Sequence, residues 1–290
     1  MRKGHVVCLV TYLLAGAVAL AAGYAVSGEH PIVVAGVADV AATVVVFVCG
    51  VAVRNASLYD PYWSVAPIPI ALYWALGAEP GANGTRQLLA VALVAAWGAR
   101  LTWNWLRGWT GLDHEDWRYV DLRASSGRAY PLVNFFGIHV FPTVMVFLGC
   151  LALYPALTSD APLGPIDALA VLVTAGAIAL EATADQQLRR FVLSRAPGQE
   201  RAILRTGLWS RSRHPNYMGE ILFWWGLFAF ALAAAPAWWW TIVGPLAMTA
   251  MFRFISLPMI EQRMEARRPG WAEHAAATPL LIPRLFSSQS

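Results

Sequence analysis

Residues 211–235 read RSRHPNYMGE and then ILFWWGLFAFALAAA, so a dense polar cluster runs directly into a long apolar segment. The apolar part, Ile221 to Ala235, has the composition of a membrane helix. Ionisable groups at the edge of a bilayer are costly unless they are paired, solvated or bound to a ligand, so the cluster predicts a functional site. The alternative is a basic loop that only fixes topology. Basicity alone does not explain His214, Asn216 and Glu220.

The composition of the whole chain is that of a membrane protein. Hydrophobic residues make up 58% of the 290 residues and charged residues 13%, about half the charge fraction of ~25% in soluble proteins. A membrane-spanning helix needs roughly 20 apolar residues. Windows near this length predict an all-α polytopic bundle of eight spans in a single domain, 1–290: Val6 to Val26, Ile32 to Val53, Tyr62 to Leu76, Gln87 to Leu106, Leu132 to Tyr154, Ile166 to Leu180, Met218 to Ala235 and Trp238 to Leu257.

Two windows have special features. The third is short and contains Pro67 and Pro69, which predicts a broken or tilted helix. The first resembles a secretory signal, because a basic start precedes an apolar run with small residues near Ala21. Its apolar run is longer than that of a cleaved signal, so we expect a retained membrane anchor.

The arginines predict the orientation. Alternate loops carry nearly all of them, and the opposite loops hold only Arg86 beside Glu29, Glu79 and Asp160. This asymmetry follows the positive-inside rule and predicts cytoplasmic termini with an even number of spans. The net charge of +4 therefore reflects topology and gives no indication of nucleic-acid binding.

Polar residues inside the windows fall toward the predicted cytoplasmic side. Independent topological markers need not converge in this way, so we expect a pocket walled by helices and open to the cytosol. The residues are Arg100, Asn104, Asn134, His139, Glu181, Asp185, Glu220 and Arg253. Asp39 and Asp167 are exceptions near outer ends, where we expect their side chains to snorkel to water.

Two cytoplasmic loops are long enough to cover such a pocket. The first, Gly108 to Tyr130, interleaves charged and aromatic residues, which favours a folded lid, with ordinary loop salt bridges as the alternative. The second begins with a segment that can extend the sixth helix and place Glu181 and Asp185 on one face. An acid pair beside arginines can hold ribose hydroxyls and phosphates. Cys8, Cys49 and Cys150 show no metal-ligand spacing, and no metal is expected.

The motifs resemble those of a known family. Gly207-Leu208-Trp209, Ser212 to Tyr217, Gly219-Glu220 and Trp224-Trp225-Gly226 resemble the C-terminal signature of the steroid 5α-reductase superfamily. Glu115 to Tyr119, Ala184-Asp185-Gln186 and Thr278 to Pro283 are similar to its uncharacterised bacterial branch of integral membrane proteins. The resemblance covers roughly Arg54 to Phe286, a reductase-like region that follows the N-terminal helices in 1–53.

The resemblance implies a nicotinamide site that faces the cytosol. We expect Asp185, Asn216, Glu220 and Arg253 to orient the cofactor, Arg205, Arg211 and Arg213 to bind its diphosphate or 2′-phosphate, and His214 and Tyr217 to complete the site. Arg100 matches an arginine near the substrate, but Trp97 stands where the superfamily has a carbonyl-polarising tyrosine. The nearest acid candidates are Tyr59 and Asp60, and the expected proton donor is Tyr59 or Tyr217.

The expected function is NADPH-dependent reduction of an activated C=C bond in a lipid-like substrate, whether steroid-, fatty-acyl- or isoprenoid-like. The protein would lie in a bacterial inner membrane. The main alternative is an S-adenosylmethionine-dependent methyltransferase of a lipid or prenylated substrate, because such enzymes share the Arg-His-Pro core. Those enzymes usually carry adjacent acids after the last helix, where this chain has only Glu261 before Gln262. The third alternative is a membrane protein with the same fold and no catalytic activity.

Overall fold

The computed structural model describes residues 3–196, 198 and 201–282. Over these residues the chain is helical and contains no strand. Pro283 and Phe286, which end the predicted motif and the predicted reductase-like region, lie outside the described residues. The prediction of an all-α polytopic bundle is confirmed.

Each apolar window corresponds to a helix. The main helices are α1 (Lys3–Ala25), α2 (Pro31–Ala52), α3 (Pro67–Leu76), α4 (Gly84–Gly108), α5 (Trp117–Cys150), α6 (Pro165–Leu193), α7 (Pro215–Ala234) and α8 (Pro236–Arg267). Short helices are Ala56–Tyr59, Tyr62–Val65, Leu153–Thr158, Gly207–Ser210 and Trp271–Ala277.

Six of these helices, α1, α2, α5, α6, α7 and α8, are long and apolar enough to cross a membrane. The other two differ for local reasons. Helix α3 has 10 residues, because Pro67 starts a new helix after Tyr62–Val65, as the broken third window predicted. Helix α4 has 25 residues but carries Arg86, Arg100 and Arg107. The number of crossings and the orientation of the termini stay predictions.

Proline shapes the two longest helices. Val133–Val140 in α5 and Phe252–Ser256 in α8 are π-helical turns. Each turn ends two residues before a proline, Pro142 or Pro258. Proline has no N–H to donate and its ring crowds the preceding turn, so the backbone widens there to satisfy the remaining carbonyl groups. The two wide turns line the pocket described below.

Glycine allows α6 and α7 to approach closely. A Cβ atom at Gly219 would lie 2.7 Å from the Cβ atom of Glu181. A Cβ atom at Gly226 would lie 2.2 Å from Oγ1 of Thr174, a distance that no side chain tolerates. The contact between these backbones places Glu181 of α6 against Glu220 of α7.

The expectation that Asp39 and Asp167 snorkel to water is wrong, since both side chains are buried. Nε of Arg86 donates to Oδ1 of Asp167 at 2.7 Å and Nη2 donates to Oδ2 at 3.1 Å. Arg86 also donates to the backbone carbonyls of two residues in the 159–164 segment. Asp39 accepts a 2.6 Å bond from the Tyr62 hydroxyl. Polar partners inside the bundle have replaced water in both cases.

Removing one partner of the Arg86–Asp167 pair leaves a buried charge, which typically costs about 3–5 kcal/mol. Arg86→Ala is therefore expected to lower the free energy of unfolding by about this amount. Arg128→Ala, at an exposed position, should change it by less than about 0.5 kcal/mol. Denaturant unfolding of the detergent-purified variants measures both. Equal stability of Arg86→Ala and the parent would contradict a structural role for the pair.

Candidate functional site

A pocket of about 530 Å³ lies between α4, α5, α6, α7 and α8, and we call it the central pocket. Its lining combines polar and apolar residues. The polar residues are Tyr59, Asp60, Asn104, Arg118, Tyr119, Glu181, Asp185, Asn216, Tyr217 and Glu220. The apolar residues include Leu101, Leu122, Ile138, Phe141, Met251, Phe252, Ile255 and Met259.

Arg100 does not line the central pocket, but it pairs with two acidic residues that do. Its Nη2 lies 2.6 Å from Oε2 of Glu181, and its Nη1 lies 2.7 Å from Oδ2 of Asp185. The same Asp185 oxygen accepts a 2.7 Å bond from Nδ2 of Asn104, and Asp185 also interacts with the Asn216 side chain. Helices α4, α6 and α7 are therefore joined by one charged network.

Glu220 is held by two indoles. Nε1 of Trp97 donates to its Oε2 at 2.9 Å, and Nε1 of Trp224 donates to its Oε1 at 3.0 Å. Trp97 is fully buried and stacks on Phe223 at 4.4 Å between ring centroids. The residue at the position of the superfamily tyrosine thus orients Glu220 and does not line the central pocket.

Tyr59 and Asp60 lie on the opposite wall. The Tyr59 hydroxyl is 2.8 Å from Oγ1 of Thr143, and the Tyr119 hydroxyl donates to Oδ1 of Asp60 at 2.6 Å. Burial raises the pKa of Asp60 to about 6, against the opposing effects of the Tyr119 bond and the Arg118 charge. Asp60 is therefore an acid that can hold or release a proton near neutral pH.

The predicted lid is folded against this wall. Nδ2 of Asn55 donates to the carbonyl oxygens of Leu112 at 2.8 Å and His114 at 2.9 Å. The backbone N–H of Ala56 donates to Oε1 of Glu115 at 2.8 Å. Residues 117–126 form the first helical segment of α5, which Gly127, at a φ of 51°, separates from the rest of that helix. The lid thus positions Arg118 and Tyr119 at the pocket.

A second cavity of about 350 Å³ lies beyond the ends of α6 and α8, and we call it the basic pocket. Arg118, Asn216, Tyr217 and Ile260 line both cavities, so the two adjoin. The other polar and aromatic residues of the basic pocket are Asp116, Trp117, Phe191, Arg195, Trp209, Arg213, His214, Arg263, Arg268, Trp271 and His274.

Acidic partners hold several of the basic groups. Nη1 of Arg213 lies 2.7 Å from Oε2 of Glu261, and Nε2 of His214 lies 2.6 Å from its Oε1. Nε of Arg118 lies 2.8 Å from Oδ1 of Asp116. The Arg263 guanidinium lies 3.9 Å from the centroid of the Trp117 ring, a cation–π contact.

Arg268 differs from these groups because its hydrogen bonds go to the Met264 sulfur and the Ala202 carbonyl, neither of which is charged. Burial and the nearby Arg195 lower the pKa of the Arg268 guanidinium. Arg195 and Arg268 both line the basic pocket and add positive charge to it, which favours an anionic ligand. The basic pocket is suited to a phosphate-bearing ligand.

The structure brings together most of the predicted site. Tyr59, Asp60, Asp185, Asn216, Tyr217 and Glu220 line the central pocket, Arg213 and His214 line the basic pocket, and Arg100 pairs with Asp185. The remaining three arginines lie outside both pockets. Arg211 and Arg253 are exposed, and exposed Arg205 donates to the carbonyl of Gly270 at 3.3 Å.

The expected set of phosphate-binding arginines changes accordingly. The candidates from the geometry are Arg118, Arg195, Arg263 and Arg268, none of which was singled out from the sequence. Their positions in loops and helix ends carry no periodicity that relates one to another. The sequence analysis included Tyr119 only as a member of the lid motif and predicted no role for it in the site. Glu181 did have a signal, its spacing of four residues from Asp185.

The fold and these cavities define a polytopic helical membrane protein with two adjoining polar pockets. Residues 46–278 match the family described as protein of unknown function DUF1295, and the chain belongs to this family. The family is related to steroid 5α-reductase-like proteins. An uncharacterised protein of Schizosaccharomyces pombe is 28% identical over 257 residues, 81% of this chain and 74% of the yeast protein. No solved structure matches the chain.

The Arg100 network predicts opposite effects for two neutralising variants. Arg100→Met leaves Glu181 and Asp185 without their cation and should destabilise the protein by about 3–5 kcal/mol. Glu181→Gln keeps the shape of the side chain and removes one of several crowded carboxylates. It should be neutral or stabilising at pH 8, because buried like charges disfavour each other. Unfolding at fixed detergent concentration measures both. If Glu181→Gln strongly lowered the free energy of unfolding, the network would not carry the excess of negative charge that we infer.

Proposed function

We propose that this protein is an NADPH-dependent membrane reductase that acts on an activated C=C bond in a lipid-like substrate. The observation that carries the proposal is the adjoining pair of pockets, one lined by basic and aromatic residues and the other by acidic and apolar residues. A phosphorylated dinucleotide is long. It carries its 2′-phosphate at the adenosine end, its nicotinamide at the other end and its diphosphate between the two. The shared residues Arg118 and Tyr217 would lie near the middle of such a ligand, and Asn216 would lie toward the nicotinamide.

The residues of the basic pocket fit the adenosine half of the cofactor. Arg195 and Arg268, which both line this pocket, would bind phosphate, for which guanidinium groups are suited. Indole rings such as those of Trp209 and Trp271 also line the pocket and offer faces to a base. Arg118, which lines both cavities, would meet the diphosphate between them.

Asn216 supports a nicotinamide in the central pocket. Its side chain interacts with Asp185, and its buried Oδ1 has no hydrogen-bond partner within the part of the chain that the structure describes. A buried unpaired acceptor is costly unless a ligand satisfies it. The amide N–H groups of a nicotinamide carboxamide are suitable donors, and Glu220 is a further acceptor nearby.

The bound cofactor would supply the hydride for the reduction. The chain's own residues would supply the proton and the hydrogen bond that stabilises developing negative charge on the substrate. We assign these roles to Asp60 and Tyr217, which line the pocket. Tyr59 also lines it, but the chain of hydrogen bonds through Thr143 and Thr43 commits its hydroxyl hydrogen to Thr143. The apolar lining from α5 and α8 would keep water from the reacting carbon atoms.

The proposed location is a bacterial inner membrane, with the basic pocket on the cytosolic side. The positive-inside rule supports this orientation, because the loops that carry Arg118, Arg195 and Arg213 are those predicted to be inside. NADPH in the cytosol would then reach the basic pocket directly.

A methyltransferase is the second candidate, and Glu220 is the observation that favours it. A carboxylate held by two indoles is a setting that attracts a sulfonium cation. Arg205, Arg211 and Arg253 are exposed and lie outside both pockets, so the cofactor site has less positive charge than the sequence predicted. The positive charge that Arg195 and Arg268 bring to the basic pocket opposes a cationic ligand, and Glu220 and Glu261 do not line a common pocket. We therefore favour the reductase.

Thermal stabilisation of the detergent-purified protein by NADPH, NADH and S-adenosylmethionine separates the two candidates. A ligand at 100 times its dissociation constant adds about 2.7 kcal/mol of stability. The reductase proposal expects stabilisation by NADPH, with the lid ordered around it. Stabilisation by S-adenosylmethionine and none by either nicotinamide cofactor would reverse the ranking.

Arg268→Gln is expected to weaken NADPH binding by about 1.5–3 kcal/mol, the usual effect of losing a hydrogen bond to a charged group. Arg190→Gln is the matched control, because Arg190 is an exposed arginine near the end of α6 and outside both pockets. Isothermal titration with NADPH measures both affinities. Unchanged affinity in Arg268→Gln, with the unfolding temperature of the empty protein also unchanged, would place the phosphate site elsewhere.

A further inference from the structure

Glu181 of α6 and Glu220 of α7 meet where these two helices are closest. A Cβ atom at Gly219 would lie 2.7 Å from Cβ of Glu181 and 2.9 Å from the carbonyl oxygen of Ala177. The two glutamate side chains are within hydrogen-bonding reach of each other. Each is only 5% exposed. The packing of the two backbones therefore brings two acidic side chains together with little access to water.

The hydrogen bonds around Glu220 require one more hydrogen than two ionised glutamates can supply. Its Oε2 accepts from Trp97 and its Oε1 accepts from Trp224. An ionised carboxyl group can only accept hydrogen bonds, so two ionised glutamates cannot bond to each other. A hydrogen bond between Glu181 and Glu220 therefore requires a proton on one of them.

Arg100 supplies too little positive charge for every acid in this network to be ionised. Its Nη2 lies 2.6 Å from Oε2 of Glu181, and its Nη1 lies 2.7 Å from Oδ2 of Asp185. With Glu220 also ionised, one guanidinium group would face three carboxylates. Two carboxylates that share a buried site repel each other, and binding of one proton removes this repulsion. The balance of charge thus favours a proton on the glutamate pair.

The other titratable groups around the central pocket bring no positive charge in excess. Tyr217 lies one turn before Glu220 on α7 and carries a hydroxyl group. Nε of Arg118 lies 2.8 Å from Oδ1 of Asp116, and the charge of Arg118 also acts on Asp60. That one cation therefore faces two acids of its own. Within the described part of α8, the residues that line the pocket are uncharged.

We propose that Glu181 and Glu220 share one proton at neutral pH, so that the pair is a proton-binding site in the lining of the central pocket. The proton is held between the two carboxyl groups, and the pair then carries a single negative charge. The indole N–H groups of Trp97 and Trp224 keep Glu220 in position for this contact. The shared proton depends on the packing of α6 against α7 and on the local charges, and it requires no bound cofactor.

The shared proton has one consequence that rests on the proposed function. The nicotinamide would lie beside Glu220, and its ring is positively charged in NADP⁺ and neutral in NADPH. A positive charge close to the pair favours its doubly ionised form, so binding of NADP⁺ would release the proton to water. The affinity for NADP⁺ is then expected to rise with pH above neutrality, by up to about tenfold per pH unit, because one proton is released on binding. The affinity for NADPH should change less.

Infrared spectroscopy of the detergent-purified protein without ligand tests the shared proton. At about pH 8 an exposed glutamic acid is ionised, whereas a protonated carboxyl group has a C=O stretching band that carboxylates lack. We expect this band in the parent, with a shift to lower frequency in D₂O. Labelling with ¹³C-glutamate should also move it, which separates the pair from the buried aspartates Asp39 and Asp60.

The variants show whether the proton is shared. Glu181→Gln and Glu220→Gln each leave a single carboxyl group with no acidic neighbour to bond to, so both should lose the same band. Asp185→Asn is the matched control, because Asp185 belongs to the same network and is bonded to Arg100 and Asn104. Asp185→Asn should keep the band.

Three results would overturn the inference. The parent could show no protonated carboxyl band that moves with ¹³C-glutamate, and this measurement needs no variant to fold. The band could survive in both glutamine variants, or each variant could lose a different band, which would mean two separate protonated acids. Binding of NADP⁺ and NADPH is measured separately. If the band behaves as expected and neither cofactor binds, the reductase proposal fails and the shared proton stands.

Discussion

The contact of Arg100 with Glu181 and Asp185 is the interaction on which the site depends. It joins α4 to α6, and through Asn216 and Glu220 it extends to the start of α7. Charged groups in such an interior are tolerated only when they are paired and hydrogen-bonded. The close approach of α6 and α7 at Gly219 permits the contact. The network therefore fixes the wall of the central pocket that carries most of its polar groups.

The second constraint is the backbone chemistry of proline in long helices. Pro142 and Pro258 each follow a π-helical turn, and the two turns form the apolar side of the same pocket. Wider turns change the direction in which side chains project and are frequent at functional sites. Polar side chains of α4, α6 and α7 thus share the lining of the pocket with two irregular helical turns. The folded lid closes one end of the space between them and adds Arg118 and Tyr119.

The sequence predicted features that depend on local pattern. Apolar length identified each main helix, Pro67 marked the break before α3, and i, i+4 spacing placed Glu181 beside Asp185. Prediction from the sequence failed where a residue's environment depends on side chains from distant parts of the chain. Asp167 has a buried partner 81 residues away, which no periodicity reveals. Arg205, Arg211 and Arg253 had the same local signals as Arg213, yet only Arg213 lines a pocket, because loop geometry decides where each guanidinium points.

Electron cryomicroscopy of the protein in lipid nanodiscs with saturating NADP⁺ tests the two-pocket site most directly. One continuous ligand density is expected, with phosphates against Arg195 and Arg268 and the nicotinamide beside Asn216 and Glu220. The lid should keep its contacts with Asn55. Density confined to the central pocket, or a cofactor bound at the exposed Arg205, Arg211 or Arg253, would contradict the assignment of the basic pocket to the adenosine half.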